Sequence, residues 1–214
     1  MGRPLRVQEP YATYHITAQG NRSSALFLDA YDRQAFMNML RLTADRHEWH
    51  CHAWCLMTTH YHLLVTTPHA DLAAGMHRLN SRYAHWSNAV YSEVGHVFRA
   101  RYGAKLVETD EHLFSCYRYI ARNPVTAGMC ERPGDWRWSS YTILMSGARV
   151  TLPSSETHLL SHFADARSPR GALQRLVEAA AEPDTSGAWH QTGLRATTGP
   201  RCRSRGTSGP RPLR

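Results

Sequence analysis

The stretch that most constrains this chain is residues 54 to 67, Trp-Cys-Leu-Met-Thr-Thr-His-Tyr-His-Leu-Leu-Val-Thr-Thr. From Tyr61 onward, Leu63 and Val65 recur at period two, which reads as a β-strand with one apolar face. His60 and His62 stand at the start of that strand on the opposite face, and Tyr61 points away from them. Residues i and i+2 of a strand have Cα atoms roughly 6.6 Å apart, so two imidazoles on a rigid base can converge on one small ion. This is a metal site in outline, still lacking its remaining ligands.

The 214 residues suit one domain with appendages, and a composition of 42% hydrophobic and 20% charged residues is that of a soluble globular protein. No run of about 18 apolar residues is present, and Met-Gly-Arg-Pro-Leu-Arg at the start lacks the apolar centre of a signal peptide. The expectation is a cytoplasmic protein without a membrane partner.

Cys51, Cys55, Cys116, Cys130 and Cys202 are odd in number and lack a disulfide or zinc-ribbon layout. On one strand Cys51 and Cys55 would sit roughly 13 Å apart, too far to share an ion, so they read as core thiols. The formal charge of +8 is concentrated at the end: from Thr185 onward there is no acidic residue, while Arg195, Arg201, Arg203, Arg205, Arg211 and Arg214 lie there. The part before it is only mildly basic. Of 25 basic residues only Lys105 is a lysine, a ratio that points to GC-rich coding DNA rather than to phosphate binding.

In chain order, Tyr11 to Ala18 is rich in β-formers and reads as a first strand, with Gly20-Asn21 as its turn. From Asp29 to Arg46, Ala35, Phe36, Met39, Leu40 and Thr43 fall at helical spacing. Trp49 to Met57 reads as a second strand, joined through Thr58-Thr59 to the histidine strand in an antiparallel hairpin. Leu72, Met76, Leu79, Tyr83, Trp86 and Val90 then form a long helical stripe that reads as core, with Arg78 and Arg82 beside it facing solvent. Val97 to Val107 reads as a fourth strand carrying Arg99, Arg101 and Lys105 on one face. Asp110 reads as the N-cap of a helix from Glu111 to Arg122, ended at Asn123 by Pro124. The order β-α-β-β-α-β plus a further helix predicts an α+β fold: a ferredoxin-like, RRM-like split βαβ antiparallel sheet with packed helices. A helix near Gly171 to Ala181 closes the chain, and after Pro183 the Gly, Pro, Ser, Thr and Arg content reads as a disordered basic tail.

At about 100° per residue, Leu113, Cys116, Tyr117 and Ile120 share one helical face, which makes Tyr117 a core residue. Tyr119 points elsewhere and lies only about 40° from Asn123, one turn further on. A phenol and an amide presented together to two histidines supply a nucleophile and a third ligand. Trp136, Trp138 and Tyr141 follow in Asp-Trp-Arg-Trp-Ser-Ser-Tyr; the two tryptophans are either packed in the core or free to stack on unpaired bases. Of the other histidines, His15 alone stands out, since the first strand of a split βαβ sheet can lie beside the histidine strand.

With His-Tyr-His on a strand and Tyr-x-x-x-Asn on a helix, the chain resembles the REP-associated tyrosine transposases, relatives of the single-tyrosine insertion-sequence transposases within the HUH endonucleases. The resemblance runs from about Tyr11 to Tyr141. It is carried by Tyr14-His15-Ile16-Thr17, Gly20-Asn21, the Cys55-Leu56-Met57 to Val65 hairpin, Leu79-Asn80-Ser81-Arg82-Tyr83, Val94-Gly95-His96-Val97-Phe98, Tyr119-Ile120-Ala121-Arg122-Asn123-Pro124-Val125, Ala127-Gly128 and Trp136 to Tyr141. Two positions depart from it: Thr58-Thr59 stands where Pro-Asn commonly precedes the first histidine, and Asn123 where better-studied relatives have Gln.

The resemblance implies a transposase-like domain over residues 1–145, followed by a helical extension (146–184) and the tail (185–214). It implies that His60, His62 and Asn123 hold Mg²⁺ or Mn²⁺, although two histidines alone would take Zn²⁺ or Ni²⁺ more tightly. Tyr119 is then the nucleophile that nicks and rejoins single-stranded or hairpin DNA of repetitive extragenic palindromes, leaving a 5′-phosphotyrosine. Arg78, Arg82, Arg99, Arg101, Lys105 and Arg122 are the candidate DNA contacts, and a bacterial, nucleoid-associated location follows. Homodimerisation stays open. The competing readings are a domesticated hairpin binder that no longer cuts and a small-molecule metallohydrolase, for which the chain has too few His or Asp ligands at strand ends.

Overall fold

A computed structural model describes residues 8–21, 25–148, 152 and 156–179. Four strands, β1 (Ala12–Gln19), β2 (His50–Leu56), β3 (His60–Thr67) and β4 (Gly103–Val107), form one sheet in the order β2-β3-β1-β4. Every neighbouring pair is antiparallel. With α1 (Ala30–His47) between β1 and β2 and α2 (Leu72–Tyr91) between β3 and β4, this is the split βαβ, α+β arrangement expected from the element order.

Residues paired across antiparallel strands share a face, so the register sorts the side chains. His62 pairs with Thr17 and with Cys55, His60 with Gln19, Leu64 with His15, and His15 in turn with Lys105. These line one face. Tyr14, Ile16, Ala18, Tyr61, Leu63 and Val65 line the other, where they are buried under α1 and α2 with Phe36, Leu40, Met76, Leu79 and Tyr83. Buried hydroxyls on that side need partners. Tyr61 donates to Asn80 Oδ1 at 2.6 Å and Tyr83 to the Leu26 carbonyl at 2.6 Å, which gives structural work to two residues of the Leu79 to Tyr83 motif.

The first face is covered by α3 (Asp110–Thr126), whose Leu113, Cys116, Tyr117 and Ile120 are buried together with Ala53, Cys55 and Leu64. Tyr117 is thus a core residue, as its helical direction predicts. Cys51 and Cys55 do not share a face: the register shifts between Cys51 and Ala53, and this bulge turns Cys51 into the α1/α2 core and Cys55 into the α3 core. Burial pushes the Cys51 thiol up to about 12, so it stays protonated.

Three boundaries in β4 and α3 differ from expectation. The fourth strand is five residues long, Gly103–Val107, not Val97 to Val107. The chain before it meets the end of β1 through the Arg99 N–H and guanidinium on Gln19, a Gly20–Phe98 bridge and the Asn21 N–H on the Val97 carbonyl, and Phe98 packs beside Tyr61; the segment lies beyond the end of β1 and has no strand to pair with along its length. Arg99, Arg101 and Lys105 therefore do not share a strand face. The N-cap of α3 is Thr109, whose hydroxyl accepts from the His112 N–H at 3.2 Å, with Asp110 and Glu111 in the first turn. Pro124 does not end α3. It lies near the C-terminus, where a missing N–H removes one backbone bond, and Ala127 N–H to Asn123 O at 2.9 Å continues the ladder until Gly128 turns the chain at φ 67°.

The open edge of β2 is sealed by the tryptophan segment. Leu56 N–H donates to the Trp138 carbonyl, Trp136 Nε1 to the Leu56 carbonyl at 3.1 Å, and the Ser140 hydroxyl bonds both the N–H and the carbonyl of Trp54. The Arg33 guanidinium lies 5.8 Å from each of the two indoles. Both tryptophans are half-buried parts of this seal.

Three helices follow: α4 (Ser140–Ser146) and α5 (Glu156–Ser161), neither of which is placed by the sequence pattern, and α6 (Pro169–Glu178), which starts two residues before the expected Gly171 with Ser168 as its cap. The α6 helix packs on α3. Arg118 donates to the Ala179 carbonyl at 2.7 Å and Arg122 to the Val177 carbonyl at 3.1 Å, and the Tyr141 hydroxyl bonds Glu178. Residues 185–214, the expected tail, lie outside the described residues. Among the described residues no helix is long and apolar enough to cross a membrane.

Candidate active site

The hairpin that carries the two histidines is fixed at its bend by backbone bonds. Met57 N–H donates to the His60 carbonyl, Leu26 and Phe27 donate to the Thr58 carbonyl, and Gly20 donates to the Thr59 carbonyl at 2.8 Å. The Thr59 hydroxyl lies 3.1 Å from His60 Nδ1. Thr58-Thr59 therefore supplies both the turn and a partner that orients the His60 ring, so one nitrogen is engaged from behind.

His60 and His62 meet with ring centroids 5.0 Å apart and planes at 84°. From above, α3 brings Tyr119 and Asn123 to the same place. The Tyr119 ring is edge-on to both His62 (5.5 Å, 85°) and His15 (5.8 Å, 68°), and the Asn123 side chain hydrogen-bonds His60. The single helical turn between Tyr119 and Asn123 is what lets one helix present both groups. His60, His62, Tyr119 and Asn123, read from two distant segments, thus occur together.

His15 completes the floor. Its Nε2 is 3.1 Å from His62 Nδ1, and the two rings are inclined by 23° with centroids 5.3 Å apart, the spacing of imidazoles meeting through their nitrogen edges. His15 and His62 are only 3% and 4% exposed, whereas His60, Tyr119 and Asn123 are half-buried. The site is closed below and open on the His60 side.

Burial decides the protonation of all three rings. Desolvation, reinforced by the Lys105 charge and by His112, lowers His15 to about 4. Desolvation also lowers His60, partly offset by the Asn123 hydrogen bond, and it holds His62 well below the usual range with help from its two histidine neighbours. At neutral pH the site presents neutral imidazoles, the form that ligates metals.

The donor set can be tested against a divalent ion on His62 itself. Its Nε2 is fully buried with no hydrogen-bond partner among the described residues. Leaving a buried polar atom unmatched costs about 1–3 kcal/mol, so an electrophile at that position fits. Among the described residues no group of three or more His, Cys, Asp or Glu could hold an ion, and the Asn123 amide beside His60 is an oxygen donor that could join the histidine pair.

The candidate DNA residues divide by location. Lys105 pairs directly with His15, and Arg99 reaches Gln19, which pairs with His60, through both its N–H (2.9 Å) and its guanidinium (3.4 Å). These two flank the site. Arg101 is exposed in the loop before β4. Arg78 and Arg82 lie on α2, across the sheet from the histidines; Arg82 is exposed, but Arg78 is half-buried rather than solvent-facing. Arg122 is half-buried and committed to the α6 carbonyl. Arg99's link to Gln19 and the Thr59 contact were not visible in the sequence, since both depend on where the loop ends dock on β1 and β3.

A histidine pair on a four-stranded antiparallel sheet thus lies beneath a helix-borne tyrosine, and by its family the chain is a transposase-like DNA-processing protein. Residues 10–123, more than half of the chain, match the family described as Transposase IS200 like, and the chain belongs to that family. Its fold is that of a REP-associated tyrosine transposase solved bound to a REP hairpin, with a TM-score of 0.59 and 19% identity over 70% of this chain and 89% of that one. A structure from Deinococcus radiodurans R1, provisionally classed as a transposase, matches with a TM-score of 0.40 and 17% identity over 57% of this chain and 95% of that one. Among curated proteins there is no match.

Proposed function

We propose that this protein is a metal-dependent single-stranded DNA endonuclease and strand transferase that nicks and rejoins palindromic-repeat hairpins through Tyr119. The observation that carries the reading is the meeting of the Tyr119 ring with His62, whose buried Nε2 has no partner among the described residues. Family membership supports it, and so does the hairpin DNA bound by the REP-associated transposase of the same fold.

In this reading His60 and His62, with Asn123 as the oxygen donor, hold Mg²⁺ or Mn²⁺. Such an ion, when bound, polarises a phosphate oxygen and offsets the charge that gathers on it. The Tyr119 phenol oxygen attacks phosphorus and forms a 5′-phosphotyrosine bond, while the 3′ oxygen leaves and ends as a 3′-OH. Because one phosphodiester is exchanged for another, an incoming 3′-OH reverses the step and rejoins the strand without ATP. Thr59 orients His60, and burial keeps the rings neutral for ligation. Lys105 and Arg99, flanking the site, take the phosphates on either side of the reacting one. With DNA as substrate, the protein works at the bacterial nucleoid. One chain carries every residue of the mechanism, so the chemistry does not call for a homodimer.

Cleavage of an end-labelled single-stranded hairpin from a palindromic repeat, with and without Mn²⁺ or Mg²⁺, tests the reading. Metal-dependent nicking is the expected result. Tight hairpin binding with no nicking under either metal would replace it with a non-cutting hairpin binder.

A further inference from the structure

His62 is the most enclosed ligand of the site, and its two nitrogens have different neighbours. Nδ1 lies 3.1 Å from His15 Nε2, while Nε2 is buried and has no hydrogen-bond partner among the described residues. A neutral imidazole carries one proton, so two arrangements are possible. If His15 donated, His62 would hold its proton on Nε2, as a buried N–H with nothing to receive it, and that nitrogen would have no lone pair to offer. If His62 donates, Nδ1–H is satisfied by His15 and Nε2 keeps its lone pair. Orphaned buried N–H groups are rare, and a metal-binding histidine commonly donates its other ring N–H to a fixed acceptor. His15 is itself held in place: it is 3% exposed, sits in the middle of β1 paired with Leu64 on one side and Lys105 on the other, and is edged by the Tyr119 ring.

We propose that His15 is a positioning residue whose Nε2 accepts the Nδ1 proton of His62, locking His62 in the Nδ1–H form so that its Nε2 is available as a ligand. The inference rests on the proposed function in taking His62 for a ligand, yet the tautomer itself is a property of the metal-free protein. His15 does not ligate through Nε2, because that atom already faces His62. Its position in the Tyr14-His15-Ile16-Thr17 strand is what brings it there, through the β1–β3 register.

The test uses ¹⁵N-labelled full-length protein without metal and long-range ¹H–¹⁵N spectra of the histidine rings, with His62 assigned by its loss in His62→Ala. Wild type is expected to show His62 protonated on Nδ1. His15→Gln, whose amide oxygen can accept in place of Nε2, should keep that pattern, and His15→Phe, which cannot accept, should lose it. Calorimetric titration with Mn²⁺ should show affinity within about 3-fold of wild type for His15→Gln and about 10–100-fold weaker for His15→Phe. His62 protonated on Nε2 in wild type would overturn the inference, as would an unchanged tautomer and affinity in His15→Phe. Should His15→Phe not fold, the wild-type and His15→Gln spectra decide alone. If His62→Ala leaves Mn²⁺ binding unchanged, the metal-site reading fails, while the tautomer spectrum still decides the role of His15.

Discussion

Tyr119 and His62 of one chain meet edge to plane, with ring centroids 5.5 Å apart and planes at 85°. Tyr119 therefore stands beside the histidine pair of its own chain, which under the proposed function makes it the nucleophile for that pair, and α6 holds the Tyr119 helix through Arg118 and Arg122. A mixture of His62→Ala and Tyr119→Phe proteins should not recover cleavage, because neither chain holds a complete site. Nicking restored to a sizeable fraction of wild type on mixing would show that the tyrosine acts on a partner's site.

Phosphate contacts should follow position rather than charge alone. Lys105 and Arg99 flank the histidines, whereas Arg82 is on the far side of the sheet. Each lost contact to a single strand lowers the slope of log affinity against log salt by about 0.7. Lys105→Ala and Arg99→Ala should each show this fall and Arg82→Ala none, measured by fluorescence anisotropy across a salt series. An equal fall for Arg82→Ala would move the binding surface to α2.

Helix α2 is seated at a glycine against Trp49, the residue just before β2. A Cβ on Gly75 would lie 2.2 Å from Trp49 Cζ2, and Trp49 is fully buried, so the ring has nowhere to withdraw. In an exposed helix, Gly to Ala gains about 1 kcal/mol. Here overpacking should reverse the sign and cost about 1–3 kcal/mol. Urea denaturation of Gly75→Ala checks this, and adding Trp49→Phe should recover part of the loss. A stabilised Gly75→Ala would mean that the contact between α2 and Trp49 is looser than described.

The neutral histidines make the metal-free protein acid-sensitive. His15 is lowered to about 4 in the folded protein, against about 6.5 when unfolded. Between those values the unfolded chain binds more protons, so stability is fully present above about 6.5 and falls as pH drops toward 4. His60 and His62 act in the same direction. From His15 alone the loss at pH 5 is on the order of 2 kcal/mol. The urea midpoint should drop between pH 7 and pH 5, and less so in His15→Gln; a midpoint that stays flat would contradict the burial of these rings as neutral groups.

Much of this was legible in the sequence where pattern and structure share a period. The alternation after Tyr61 gave the histidine strand, the α2 stripe gave its core face, and directions around α3 separated buried Tyr117 from Tyr119 beside Asn123. What was not legible depends on pairing. Val97 to Tyr102 contains β-formers yet leaves the sheet, because strand composition cannot say whether a neighbour is present. The bulge between Cys51 and Ala53 reverses a face without a sequence mark. Thr109 and Asp110 are both good caps, and only the hydrogen bond to His112 chooses between them. The approach of His15 to His62 is likewise a matter of β1–β3 register, which a single sequence leaves open.

Under the proposed function, Tyr119 becomes covalently joined to DNA. Incubating the protein with Mn²⁺ and a 3′-labelled single-stranded repeat hairpin, then resolving it on a denaturing gel, tests it most directly. The expected result is a label-bearing protein band that needs the metal, persists in Tyr117→Phe if that variant folds, and vanishes in Tyr119→Phe while hairpin binding is retained. A band that survives in Tyr119→Phe would contradict it.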